Sequence, residues 1–373
     1  MDYILIYRNS LGIALTLLIF FAGYFLTGRT PDKPIFENYR RSRRIMGGAL
    51  LLLAVNYTVH ICTGLRFKCS DAAILLNLCT YFLAYWLFSA ALITLLDRSY
   101  LTAKRTLFNL SRWIGANALS AVVLFVFTEG SLPRRLGIFA LTAWLVIYGI
   151  CLARRVIRTY RQAVRLFDDT HSEDISAYIR WMYIFTWWTV IYGVSCALLT
   201  FLPAQFEFIW VLSSVPFYIY LFCSYMNYLL FYEKVETILE ENAPEGSEST
   251  ENVPESGEKK EVPAYYALIE KRLPHWIASR GYTAPGLTIE DLAQSLGTNR
   301  TYISSYIKQT YNMSFREWIA SLRIEYAKGI LADKPDMTVG EICEATGFIS
   351  KSYFIRIFSE KEGVSPLKWR KRQ

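Results

Sequence analysis

The chain has 373 residues, of which 53% are hydrophobic and 16% aromatic; its mean hydropathy is +0.22 and its formal net charge +8. That much apolar side chain excludes an ordinary single water-soluble domain. The excess is uneven: long apolar runs without Asp or Glu fill the first 231 residues, and the remainder is close to average for a soluble domain, so two regimes share one chain.

Seven apolar stretches, at 4–26, 45–64, 73–96, 113–128, 136–153, 181–202 and 208–231, reach or approach the length needed to cross a membrane, which is about 20 helical residues. Region 1–231 is therefore expected to be a seven-helix transmembrane bundle, a sensor or anchor. The fourth stretch is short and the first holds Arg8. Because Asp2 comes first and Arg8 interrupts the run, the first stretch is expected to be a retained span and not a cleaved signal peptide.

Basic residues in short connections stay on the cytoplasmic side during insertion. The first, third and fifth connections hold sixteen Lys and Arg, against five on the opposite side counting Arg8. Seven spans with that bias place the N-terminus outside and everything after Phe231 in the cytoplasm.

Ionisable chemistry is scarce in the spans. They contain no Asp, Glu or Lys, and besides Cys and Tyr only Arg8 and His60 titrate. A coupled transporter needs an intramembrane carboxylate or its partner, so pumping is disfavoured, and the seventh span lacks a lysine for a retinal Schiff base. Asn56, His60, Asn77 and Asn117 are expected chiefly as helix-to-helix hydrogen-bonding partners; of these His60, near the outer end of its helix, is the best placed to meet a ligand or sense pH. The cysteines show no CxxC and no metal spacing; only Cys62 and Cys69 flank an outward loop, where a disulfide is permitted but not expected. No catalytic pair, metal set or phosphate loop is visible, so no enzyme, cofactor or metal is expected.

Region 232–263 reads as a helical extension followed by an acidic tether. YEKVETILEE continues the seventh helix with Val235, Ile238 and Leu239 on one stripe, either a fraying end or a face for a second copy. NAPEGSESTENVPESGEKKEVP lacks aromatic residues and cannot bury enough apolar surface to fold. With ten acidic residues against three basic ones, region 232–263 would not bind nucleic acid or anionic lipid itself.

Region 264–373 carries sixteen basic and eleven acidic residues, an excess too small to identify a nucleic-acid partner. Its pattern says more. LTIEDLAQSLGTNRTYISSYIK and MTVGEICEATGFISKSYFIRIFS share one grammar: Thr before an acidic-apolar helix, Gly at a turn, then a second helix. Leu292 and Gly297 match Ile342 and Gly347 at an offset of 50, and Tyr302, Ile303, Ile307 and Trp318 match Tyr353, Phe354, Phe358 and Trp369 at 51. Two helix-turn-helix units are thus expected, at about 287–310 and 337–360, joined by a helix over 315–331. Helical spacing turns Leu292, Leu296, Ile303, Ile307, Ile342, Phe348, Phe354, Ile357 and Phe358 inward. Arg300, Thr301, Ser304, Ser305 and Lys308, and then Ser350, Lys351, Ser352, Ile355 and Arg356, are left outward as the DNA-binding face, Ile355 apart. Arg356 suits guanine, which it can grip bidentately, while Arg300 and Lys308 suit phosphate.

SLRIEYAKGIL, EICEATGF, SYFIRIF and GVSPLKWR resemble the DNA-binding domain of the arabinose-regulator (AraC/XylS) family of bacterial transcription factors. The resemblance covers the last 90 to 110 residues. It implies an all-α double helix-turn-helix domain and a regulator of transcription. By motif its reading positions fall on Thr301, Ser304 and Ser305 and on Lys351, Ser352 and Arg356. Ser305, Asn312 and Cys343 depart from the common pattern, where Arg, Gly and Ala stand. Expected partners are double-stranded promoter DNA, membrane lipid, RNA polymerase, a second copy of the chain and an unknown small-molecule or envelope signal, at a bacterial inner membrane. The alternative is a seven-span receptor or permease whose cytoplasmic helical domain binds a protein partner.

Overall fold

The computed structural model describes residues 3–128, 131–199, 207–241 and 264–372, all-α with no strand among them. The tether expected at 242–263 lies outside the described residues. The chain divides into two compact units, Met1–Gln162 with Tyr178–Glu241, and Ala163–Ala177 with Asn242–Gln373.

The first unit is built on α1 (Tyr3–Thr27), α2 (Glu37–Thr63), the short α3 (Leu65–Lys68), α4 (Ser70–Thr94), α5 (Ala103–Phe125), α6 (Leu132–Thr170), α7 (Ser176–Leu199) and α8 (Glu207–Glu241), with α6 and α7 running on from the segment that belongs to the second unit. Among the described residues five helices are long and apolar enough to cross a membrane: Tyr3–Thr27, Pro34–Thr63, Ala72–Thr94, Ala103–Phe125 and Leu132–Thr170. α7 and α8 form on the sixth and seventh stretches without joining that set. The helix that carries the fourth apolar stretch begins ten residues before Trp113, where Thr102 caps it by accepting from the Arg105 N–H at 3.3 Å.

This unit reverses the usual arrangement of a soluble fold. Phe20, Val55, Leu107, Phe139, Ile147 and Leu230 face outward, whereas Ser42, Asn56 and His60 are buried. An apolar exterior suits hydrocarbon, and the enclosed polar groups then bond one another. Asn56 Nδ2 donates to Asn77 Oδ1 at 3.1 Å and to Thr80 Oγ1 at 3.0 Å, and His60 Nε2 meets the same Asn77 oxygen at 3.0 Å. His60 is thus the helix-to-helix partner it was chiefly expected to be, turned inward and joining α2 to α4, and not the outward ligand contact that was the lesser reading.

Cys62 and Cys69 are free thiols. The helical extension forms, but its stripe does not face outward: Val235 and Ile238 are buried within the chain itself and Leu239 is half-buried. Glu236, also buried, pairs with Arg98, and Glu233 pairs with Lys33 at 2.7 Å.

The second unit contains α9 (Ala264–Ala278), α10 (Ile289–Leu296), α11 (Arg300–Tyr311), α12 (Phe315–Asp333), α13 (Val339–Ala345), α14 (Lys351–Glu362) and α15 (Pro366–Arg370). Three of these helices open on reciprocal caps, Thr288 with Asp291, Ser314 with Glu317 and Thr338 with Glu341. The internal repeat holds at the level of single hydrogen bonds. At the first turn the Thr298 N–H reaches Ala293 O at 2.9 Å and the Gly297 N–H reaches Gln294 O at 3.1 Å; at the second, Phe348 reaches Cys343 O and Gly347 reaches Glu344 O, both at 3.0 Å. Each residue of the first set maps onto the second at an offset of 50, and the pair forms the helix ending in which two backward N–H bonds satisfy orphan carbonyls.

α12 is the shared wall of two cores. Phe315, Trp318 and Ile319 pack with Leu292, Leu296, Ile303 and Ile307, while Ile324, Ala327 and Leu331 pack with Ile342, Phe354 and Phe358. Ile357, expected inside, is only half-buried and packs at the margin of the second core. Asn312 takes the left-handed backbone its side chain tolerates, φ 52°.

Gly347 (φ 82°) has no room for a side chain, since a Cβ there would lie 2.2 Å from the Thr283 carbonyl oxygen; Gly363 (φ 70°) opens on empty space. Because both cores draw only on residues after 263, fragment 264–373 is the form to measure. In urea unfolding followed by tryptophan fluorescence, Gly363→Ala is expected to cost about 1 kcal/mol from the left-handed backbone alone. Gly347→Ala should cost clearly more, in the range of about 2–4 kcal/mol, because backbone must move as well.

Candidate nucleic-acid interface

The second helix of each unit begins on a side-chain cap. Asn299 accepts from the Tyr302 N–H at 2.9 Å to start α11, and Ser350 accepts from the Tyr353 N–H at 3.3 Å to start α14. Both helices are 12 residues long and offset by 51. On α11, Arg300, Thr301 and Lys308 are exposed while Ser304 and Ser305 are half-buried; Ser305 Oγ accepts from Gln309 Nε2 at 3.2 Å, and Arg300 lies 3.4 Å from Glu290. On α14, Ser350, Lys351, Ser352 and Arg356 are exposed and Ile355 is half-buried. The hydroxyl of Ser350 is committed to its cap.

Arg323, on the buried stripe of α12, ties the segment before the first unit to the turn of the second. Its side chain is 1% exposed. Nε donates to Tyr282 O at 2.7 Å and Nη2 to Ala284 O at 2.8 Å, and the guanidinium lies 5.5 Å from the centre of the Phe348 ring in the second unit. Burial pulls its pKa down to about 10, with Glu173 acting in the opposite direction. The loop that accepts these bonds is the one Gly347 approaches.

Residues 168–174 meet Arg356, one of the side chains read as DNA contacts, and its neighbour Arg316. Arg356 Nη2 donates to Asp174 Oδ2, and Arg316 Nη1 sits 3.0 Å from both Asp174 Oδ1 and Asp168 Oδ1. Both guanidinium groups lie near the Tyr353 ring, at 5.4 and 5.9 Å, and burial pushes the Tyr353 hydroxyl up to about 12. Burial alone would raise the pKa of Asp174. Hydrogen bonds from Ser176 and Arg356 and the two positive charges outweigh it, so this carboxyl titrates below its usual range. Asp169 differs: burial raises its pKa, and the positive charge of Lys308 on α11 offsets only part of that rise. The backbone is docked too: the Ser172 N–H donates to Leu287 O at 3.1 Å, and His171 bridges Thr288.

Sequence reasoning missed Arg323, Arg316 and the carboxylates of 168–174. For Arg323 the signal was its place between Ile319 and Ala327 on an apolar stripe; for the carboxylates it was FDDTHSED inside a basic connection. Among the described residues no cluster of His, Cys, Asp and Glu is arranged to hold a metal.

Residues 292–372 match the family model described as a helix-turn-helix domain. The chain is 36% identical over 87 residues to the HTH-type transcriptional regulator YtdP of Bacillus subtilis, covering 23% of this chain and 11% of that protein. It is 33% identical over 88 residues to the HTH-type regulator YijO of Escherichia coli, 24% of this chain and 31% of the relative, and 29% identical over 85 residues to the Msm operon regulatory protein of Streptococcus mutans, 23% and 30%. The chain therefore spans less than a third of the length of each of these relatives. No solved structure matches. The C-terminal region carries a helix-turn-helix domain similar to those of proteins named as HTH-type transcriptional regulators.

Arg323→Leu keeps most of the volume and removes both donors, leaving two carbonyls unpaired at the junction of the units. Urea unfolding of fragment 264–373 should show a loss of about 2–4 kcal/mol, since each unsatisfied buried group costs about 1–3 kcal/mol.

Proposed function

We propose that this protein is a membrane-anchored, sequence-specific DNA-binding regulator of transcription, whose apolar helices hold it at a bacterial inner membrane and receive a signal. The observation that carries this reading is the pair of helix-turn-helix units with Lys351, Ser352 and Arg356 outward on one second helix and Arg300, Thr301 and Lys308 outward on the other. In the proposed complex each second helix enters a major groove. Arg356 grips a guanine, Thr301, Ser304, Ser305 and Ser352 meet base edges or sugar, and Arg300, Lys308 and Lys351 meet phosphate. Ser350 serves through the helix start it caps.

The anchor is proposed to cross the membrane seven times, with the N-terminus outside and the DNA-binding region in the cytoplasm. The basic residues of the first, third and fifth connections support that orientation. RNA polymerase would be met at the bound promoter, and a second copy would bring a second pair of reading helices to the same operator.

Fragment 264–373 should bind duplex DNA with an affinity that falls steeply as salt rises. Selection from a random duplex pool should yield a consensus that Arg356→Ala relaxes at one position, at a cost of about 1–3 kcal/mol, whereas Lys351→Ala should lower the salt slope by about 1 without changing the consensus. Failure of the fragment to bind at low salt would remove this reading. Enrichment of promoters in chromatin capture of the full chain would separate it from a receptor acting on a protein partner.

A further inference from the structure

Four carboxylates stand within the seven residues 168–174: Asp168, Asp169, Glu173 and Asp174. They belong to the chain between two apolar helices, yet they are part of the same compact unit as the helix-turn-helix domain. Their partners are not scattered. Asp174 holds Arg356 of α14 together with Arg316 at the start of α12; Asp168 shares Arg316; Asp169 acts on Lys308 of α11; and Glu173 acts on Arg323 between the units. An acidic segment thus pairs with Arg356 on the second of the two reading helices and with Arg316 beside it, and lies within electrostatic reach of Lys308 on the first. Asp174 is enclosed, its side chain 11% exposed, and Phe167, Ser172 and Ile175 are buried, so the segment is fitted in place and is not a loose loop near opposite charge.

A guanidinium offers its Nη edge to one acceptor pair at a time. The Nη2 donor of Arg356 that Asp174 takes is one that a bidentate grip on guanine or phosphate would use. DNA entering along α14 would also bring phosphates against Asp168 and Asp174, an unscreened repulsion at short range. We infer that residues 168–174 are an internal competitor for DNA, so that this segment and duplex DNA occupy the reading face in turn and release of the segment is the step that licenses binding. The inference rests on the DNA-binding reading above and adds its regulation. It also supplies a route for a signal: the segment is continuous with α6 on one side and α7 on the other, so a shift of those helices draws on it directly. The affinity of the full chain for DNA is then the intrinsic affinity reduced by the fraction of time the face is open.

The test uses the full chain in lipid nanodiscs, a labelled 30-base-pair duplex of random sequence as probe, and low salt. Asp168→Asn, Asp169→Asn and Asp174→Asn combined should tighten binding by about tenfold or more, the factor for a face open about a tenth of the time. Glu255→Gln, Glu258→Gln and Glu261→Gln, which remove the same charge from the 242–263 region, should change it by no more than about twofold, as expected of long-range charge alone. In the wild-type chain, saturating duplex should abolish the hydrogen-exchange protection of the Ser172 amide. Equal affinities for the two triple variants, or a Ser172 amide that stays protected while duplex is bound, would overturn the competitor and leave DNA binding standing. Absence of binding by every form would overturn both.

Discussion

The double helix-turn-helix domain depends on a guanidinium buried where hydrophobic side chains would ordinarily meet. Arg323 spends two donors on the 282–284 loop and lies against Phe348, so one residue of α12 touches the segment leading into the first unit and the turn of the second. A charge so enclosed is costly unless its hydrogen bonds are made, and these are made to backbone carbonyls whose positions are fixed. The geometry between α11 and α14 is therefore set by directed bonds in addition to packing. In the proposed complex two reading helices share a duplex and need that constraint, because a small rotation of one carries its side chains out of the groove.

Around that junction the chain repeats itself. The same two backward N–H bonds close each turn, a polar cap starts each second helix, and the apolar faces of both units rest on opposite stretches of α12. The membrane-type unit follows other rules. There the apolar side chains look outward, and a few amides, a hydroxyl and a histidine are turned inward to bond one another.

Local grammar was the legible part. Thr288 and Thr338 before acidic-apolar helices, Gly297 and Gly347 at the turns and the offset of 50 then 51 are all chain-local signals, and the burial of Leu292, Ile303, Ile342 and Phe354 follows from helical spacing. The start of α5 was not legible, because Thr102 caps a helix whose first turns are basic, and apolarity alone does not report a cap. Ile357 was assigned to the core on periodicity, although it lies at the margin of the apolar arc. Long-range pairings stayed hidden. Nothing local states that Asp174 meets Arg356 across 182 positions, or that the carbonyls of Tyr282 and Ala284 await Arg323. A charge in a sequence looks solvated until its partner is found.

The shared wall has a consequence for the order of events during synthesis. α12 finishes the first core, but its far stripe stays bare until α13 and α14 arrive and Trp369 of α15 reaches Phe358, 6.1 Å between ring centres. All of this lies downstream of every long apolar helix. The second core is thus completed late, after the long apolar helices have left the ribosome, and in the proposed function the means to hold a gene would follow the commitment to lipid.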